Sequence, residues 1–163
     1  MRTVGIIFLS LTPFIIGLDY AKSLKIRREF FATFKEFVMF VKDQIRFSNR
    51  ERDEIFSLAL MDPRFNTSFF KGLQKSFKTE ENETKISNYS NDIRLNAKEI
   101  CVVEAFVFGL GKNDLEGQLN HCDYYFSAFE QMANNSAEAY SVKSRLSLGL
   151  TLSLALIMFI IMI

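Results

Sequence analysis

His121 and Cys122 stand side by side in a chain of 163 residues that holds one histidine and two cysteines. An imidazole beside a thiol is the chemistry of an activated nucleophile. On a helix, however, adjacent side chains point about 100° apart, so this pair is close only along the string. Two cysteines make no disulfide framework, and one histidine cannot complete a zinc site of two cysteines and two histidines. Cys101 and Cys122 are expected as reduced core or seam residues. Gly109-Leu110-Gly111 lacks the third glycine of a dinucleotide fingerprint, and position 114 is Asp, so a helix end is expected there rather than a phosphate cradle. No GxxxxGK phosphate loop, no GxSxG elbow and no HExxH helix occurs. The chain is therefore expected to be no enzyme, to carry no cofactor and no metal, and not to hydrolyse nucleotide itself.

The elements that position these residues begin with the distribution of charge. Twenty basic groups against 19 acidic leave a net charge of +1, which provides no field to draw nucleic acid. All 19 acidic residues and all but one of the basic ones lie between positions 19 and 145, and both ends are stripped of charge. Residues 146–163 contain no charged group at all. As a helix this run is about 27 Å long, close to the ~30 Å of a bilayer's hydrocarbon core, and a membrane helix is expected. Residues 3–18 form a second apolar run, interrupted by Pro13, with Tyr20 and Lys22 placed to reach the interface. Ala21 and Ser23 have the spacing of a signal-peptide cleavage site, but Lys22, Lys25, Arg27 and Arg28 follow the run at once and favour a retained anchor. Lys143 and Arg145 precede the second run, so the positive-inside rule puts both inner flanks in the cytoplasm. The expected organisation is a transmembrane helix at 1–18, a cytoplasmic helical bundle at 19–145 and a transmembrane helix at 146–163, in the cell membrane.

Within the middle the apolar residues recur at three and four, and an all-α antiparallel bundle is expected. Phe30, Phe34, Phe37, Val38, Val41 and Ile45 share one helical face. Ser48 and Glu51 have capping-box spacing, which predicts a second helix from near Arg50 carrying Ile55, Leu58 and Ala59 inward, to be ended by Asp62-Pro63. Phe65, Phe69, Leu73 and Phe77 predict a third helix, residues 78–84 an exposed linker, and Ile86, Tyr89 and Ile93 a short fourth helix. Asn96 with Glu99 opens a fifth that Gly109 and Gly111 close, and Asn113 with Glu116 starts the last. In that last helix Leu115, Leu119, Cys122, Phe126, Phe129, Ala133, Ser136 and Tyr140 form a heptad seam, and nothing stops the helix before the end of the apolar run. A rigid tie between bundle and anchor follows.

Residues 20–52 hold nine basic and four acidic groups, whereas residues 113–142 hold Asp114, Glu116, Asp123, Glu130 and Glu138 and no lysine or arginine. The first and last helices are expected to pack antiparallel with complementary charge. Intramolecular pairing is one use of these faces; docking of a partner through Arg27, Arg28, Glu116, Asp123 and Glu130 is the other. Phe30 with Phe31, and Phe69 with Phe70, cannot both point inward on one helix, so at least one of each pair is expected to be exposed, at a helix junction or against the bilayer, with a partner-contact patch as a candidate role. Ser147, Thr151 and Ala155, and separately Gly149 and Ser153, are spaced by four and would let membrane helices approach closely, either the chain's own first helix or a second copy in a homo-oligomer.

The run Phe108-Gly109-Leu110-Gly111-Lys112-Asn113-Asp114, followed by Gln118, closely resembles a segment of the stage III sporulation protein AB family. Gly17-Leu18 with Ala21, Leu24 and Arg27, then Ile45-Arg46-Phe47 with Ile55, and finally Arg145-Leu146-Ser147-Leu148-Gly149 resemble other parts of it. Departures occur where Arg50 to Glu54 replace a proline and leucine, and in the lack of tryptophan. The resemblance implies a non-catalytic membrane platform in the apparatus joining mother cell and forespore, with a soluble domain similar to the cytoplasmic domain of the type II secretion platform protein. It implies as partners a cognate sporulation secretion ATPase, stage III sporulation protein AA, and other membrane proteins of the same apparatus. Gly109, Gly111, Asp114 and Gln118 are the motif positions expected to matter, as a tight turn well placed to meet a cytosolic ATPase. A membrane-tethered sensor or chaperone-like module is the alternative, and a small membrane enzyme a third class.

Overall fold

Among the described residues the three-and-four spacing is realised as helices. The computed structural model describes residues 2–48, 51–78 and 93–162, with the side chains at 2–11, 76–78, 158–159 and 161–162 outside the description. Among the described residues there are five helices and no strand: α1 Arg2–Ser48, α2 Arg52–Ala59, α3 Ser68–Lys78, α4 Ala97–Gly109 and α5 Leu115–Met162. The expected all-α class holds, and so does the unbroken last helix, at 48 residues. α1 is almost as long, at 47 residues, and continues through Pro13. That ring removes one intrahelical hydrogen bond, which a long apolar helix can absorb.

The chain divides into two compact units, Glu29–Ala133 and the pair Met1–Arg28 with Asn134–Ile163. In the first, α1 supplies the middle of the core. Phe34 lies 4.5 Å from Phe129 of α5 and stacks on Phe70 of α3 at 5.9 Å, ring centre to ring centre. Phe37 reaches Phe56 of α2 at 5.2 Å, Phe70 at 4.8 Å and Phe106 of α4 at 6.5 Å. All these rings are buried, as are Val38, Val41 and Ile45. Each fully buried ring of this kind contributes about 1.5–3 kcal/mol, an upper range because unfolded chains already bury some apolar surface.

Neighbours on several sides of α1 leave no member of either adjacent phenylalanine pair exposed, and Phe69 and Phe70 stand in the first turn of α3, at a helix junction. Phe30, Phe31, Phe69 and Phe70 are all buried. Phe30 meets Phe31 and Phe69 edge to face at 5.3 and 4.9 Å, and Phe69 meets Phe70 at 5.6 Å. Among the described residues the exposed phenylalanines of this unit are instead Phe47 and Phe108.

Three helix starts also differ from their sequence signals. Ser48 is still helical, as the last residue of α1, so it cannot cap α2; Glu51 takes the N-cap position with an extended backbone and no side-chain cap. Phe65 precedes α3 and is buried within the turn after α2, where Asp62 Oδ1 accepts from the Arg64 amide at 2.9 Å. The cap of α5 is Asp114 rather than Asn113. The Asn96–Glu99 capping box, by contrast, forms in full, with both bonds at 2.9 Å. Of the expected linker and fourth helix, residues 79–92 lie outside the described residues, and Ile93 sits buried in a turn. The α5 seam is buried at Cys122, Phe129, Ala133 and Ser136, whereas Leu115 is exposed.

In the second unit the ends of α1 and α5 run antiparallel. Arg28 places its guanidinium 5.1 Å from the centre of the Tyr140 ring, and Gly17 is buried against Thr151. The Ser144 hydroxyl donates to the Tyr140 carbonyl within α5. Among the described residues no helix is long and apolar enough to cross a membrane, so the spans expected at 1–18 and 146–163 find no support among them. Several of the apolar side chains on which both expectations rest lie outside the described residues.

Candidate functional site

The turn from α4 into α5 is built by four sequence-predicted residues in four different ways. Gly109 ends α4. A Cβ at this position would collide with Cε1 of His121 and lie 2.7 Å from Nε2, so any other residue here forces the imidazole to move. Gly111 has φ +79° with nothing within 4 Å of a built Cβ, and is required by backbone conformation instead. Asp114 caps α5: its Oδ1 accepts from the Gly117 amide at 3.1 Å, and its carbonyl accepts from the Gln118 amide at 2.9 Å. Its charge also complements the positive end of the helix. Gln118 reaches back one turn, donating from Nε2 to the Asn113 carbonyl at 2.9 Å and holding the turn against the helix start.

His121 belongs to this site, although its sequence neighbourhood points only to a false dyad. Nε2–H donates to the Phe106 carbonyl at 3.0 Å, and the ring stacks on Phe106 at 5.6 Å with 12° between planes. Phe106 lies in the last turn of α4, where carbonyls run out of helical partners, so His121 closes the end of one helix from the flank of the next. Tyr125, one turn on, approaches the imidazole to 4.7 Å. Burial, with the neighbouring Tyr124 adding to it, raises the Tyr125 phenol above its ordinary range. A lone histidine in the first turns of one helix, just after another helix ends in glycine, is the signal for this contact that the sequence carries.

Cys122 points away into the bundle core and is fully buried. Burial first, then the charge of Asp123, pushes its thiol up to about 11, against an opposing effect of Lys42. It has neither the exposure nor the thiolate character of a nucleophile. Cys101 is exposed on α4. No group of three or more His, Cys, Asp or Glu residues fit to hold a metal occurs among the described residues.

Across from the turn lies the α1–α2 junction. Glu51, Arg52 and Asp53 face Leu110, Gly111, Lys112 and Gln118 over an open cleft of about 580 Å³. Arg52 Nε is 3.5 Å from Asp53 Oδ1 on the same wall. Nothing in the linear order joins these segments, because more than fifty positions part them along the chain.

The charged-face candidates separate. Asp123 is bound to Lys42 of α1 at 2.5 Å, and Glu130 lies 3.8 Å from Lys35, so both are engaged within the chain; Glu116 is exposed. Arg28 stacks over Tyr140, and Arg27 is half-buried. Among the small residues of α5, Ser147 and Thr151 are half-buried, with Thr151 against Gly17, while Gly149 and Ser153 are exposed. The contact to the chain's own first helix is thus made by one of the two stripes.

These features define a protein that is helical and strand-free among its described residues and carries a capped turn beside a polar cleft between two helix junctions. The family model of stage III sporulation protein AB matches residues 2–163, and the chain belongs to that family. No curated protein and no solved structure matches it.

Proposed function

We propose that this sporulation-family protein is a non-catalytic platform component, seated in the cell membrane, that couples a cytosolic ATPase to membrane parts of the apparatus between mother cell and forespore. One observation carries the reading. The family motif forms an exposed turn and shares an open cleft with Glu51, Arg52 and Asp53, while the groups that would do chemistry, His121 and Cys122, are committed to capping and packing. A surface of mixed charge around a rigid turn suits recognition of a folded partner, where complementarity sets register and association rate.

Membrane seating is supported by the lack of any charged group in residues 146–163 and by the exposure of Leu150, Leu152, Leu154, Leu156 and Ile157 along α5. Exposed leucines in such number are costly in water and suited to lipid.

The test is a pull-down of the detergent-solubilised full chain against the cognate sporulation ATPase, with and without added salt. Saturable capture that weakens with salt and is lost in a variant altered at Lys112 and Asp53 supports the reading. No capture by a helically folded chain removes the coupling role. Asp114→Asn should keep the fold; if it also keeps ATPase binding and sporulation intact, the charge at the head of α5 takes no part.

A further inference from the structure

In the smaller unit two contacts set the register of α1 against α5: Gly17 with Thr151, and Arg28 with Tyr140. Because the helices run antiparallel, chain numbers rise on one as they fall on the other, and Lys22 and Lys25 of α1 come level with Lys143 and Arg145 of α5. Lys22, Lys143 and Arg145 are exposed. Positions 19–28 and 138–145 together hold six basic groups and two acidic ones, Asp19 and Glu138. Directly beyond this band the charge stops. Residues 3–18 and 146–163 contain none, and Ile15, Ile16, Leu18, Leu146 and Leu150 are exposed there.

We propose that Lys22, Lys143 and Arg145 form a two-helix basic band that binds the phosphate headgroups of anionic phospholipid. The proposal rests on the membrane seating proposed above and adds to it a preference among lipids. Charge and the adjoining apolar surface select this occupant. The band is positive on both helices, so a ligand that bridges them must be anionic. It also adjoins an uncharged, leucine-rich surface, so that ligand must carry an apolar body on the side facing residues 146–163. A phospholipid with a net negative headgroup satisfies both conditions, and lysine and arginine side chains are long enough to extend from the helix edge to the headgroup layer. The tertiary pairing matters: α1 alone would offer one edge, whereas the register brings the basic groups of α5 to the same level.

The chain contains no tryptophan, so Tyr20→Trp, at an exposed position beside the band, supplies a single emitter. The full chain carrying this substitution is reconstituted into bilayers in which either phosphatidylglycerol or phosphatidylcholine bears brominated acyl chains, and quenching by each lipid is compared. The expected result is a preference for phosphatidylglycerol of about fivefold at low salt, the factor equivalent to one basic group at an anionic surface. It should shrink toward one at high salt and in the triple variant Lys22→Gln, Lys143→Gln, Arg145→Gln, whose exposed positions leave the core untouched. Equal quenching by the two lipids at low salt overturns the basic band and leaves the membrane seating standing. Absence of quenching by either lipid, in a chain whose circular dichroism remains helical, overturns the seating and the band with it.

Discussion

His121 of α5 donates a hydrogen bond to the carbonyl of Phe106, at 3.0 Å, across the end of α4. The approach is possible because position 109 has no side chain to obstruct the imidazole. A motif glycine and a histidine outside the motif therefore form one mechanical unit, with Gly109 making the space and His121 using it.

The first prediction follows from that dependence. Gly109→Ala should lower stability by about 1–3 kcal/mol through overpacking, and His121→Ala by about 1 kcal/mol through loss of the bond to Phe106. In the His121→Ala background the alanine at 109 meets no ring, so its cost should largely vanish and the two changes should couple by about 1 kcal/mol or more. Denaturant unfolding of the four proteins, followed by circular dichroism, measures the coupling. Additive costs would show that the two residues act separately.

Gly111 should respond differently. Nothing lies near a Cβ there, but its φ of +79° is left-handed, so Gly111→Ala should cost about 1–2 kcal/mol irrespective of any partner residue. Gly111→Asn should cost less, since asparagine tolerates this conformation better than other side chains. Equal losses for the two variants in the same unfolding assay would contradict a conformational origin.

The capping bond at Asp114 needs only a side-chain oxygen as acceptor. Asp114→Ala should remove about 0.5–2 kcal/mol, while Asp114→Asn retains the acceptor for the Gly117 amide and should stay near the parent protein. Thermal unfolding separates the two; equal destabilisation would place the contribution in the charge at the helix end.

Cys122 should be inert where Cys101 is not. At neutral pH iodoacetamide should modify Cys101 in the native chain and spare Cys122 until the chain unfolds, as peptide mapping by mass would report. The raised thiol also gives a pH dependence. The folded state holds the proton to about 11 while an unfolded thiol releases it near 9, so folding stability from this group is full below pH 9 and declines as pH rises from there toward 11. Cys122→Ala should flatten that decline relative to the parent.

Lys42 and Asp123 pair α1 with α5 at a partly exposed position. Lys42→Glu alone should cost up to about 1 kcal/mol, and the exchanged pair Lys42→Glu with Asp123→Lys should recover most of it. No recovery in the double variant would mean that the surrounding charges, not this pair, set the cost.

Much of the helical scheme was legible in the residues because helices declare themselves locally. The apolar face of α1 from Phe30 to Ile45, the capping box at Asn96 and Glu99, the left-handed Gly111 and the uninterrupted α5 all follow from spacing and backbone preference within a few neighbouring positions. Local signals misled where two segments competed for one residue. Ser48 has a capping side chain, yet α1 keeps it helical, and Asn113 yields the cap to Asp114 because the chain leaves its turn one residue later.

The helical class, the family motif, the division of charge and the absence of the common catalytic signatures follow from residue type and near-neighbour order. Tertiary structure alone decided that both members of the Phe30-Phe31 and Phe69-Phe70 pairs are buried, that His121 caps α4, that Asp123 and Glu130 are engaged by lysines of α1, and that Glu51 to Asp53 face the motif turn. Those outcomes depend on what surrounds a helix on its other sides. A linear pattern specifies which face of a helix is apolar, but only packing specifies how many neighbours cover it and which distant backbone or charge comes within hydrogen-bonding reach.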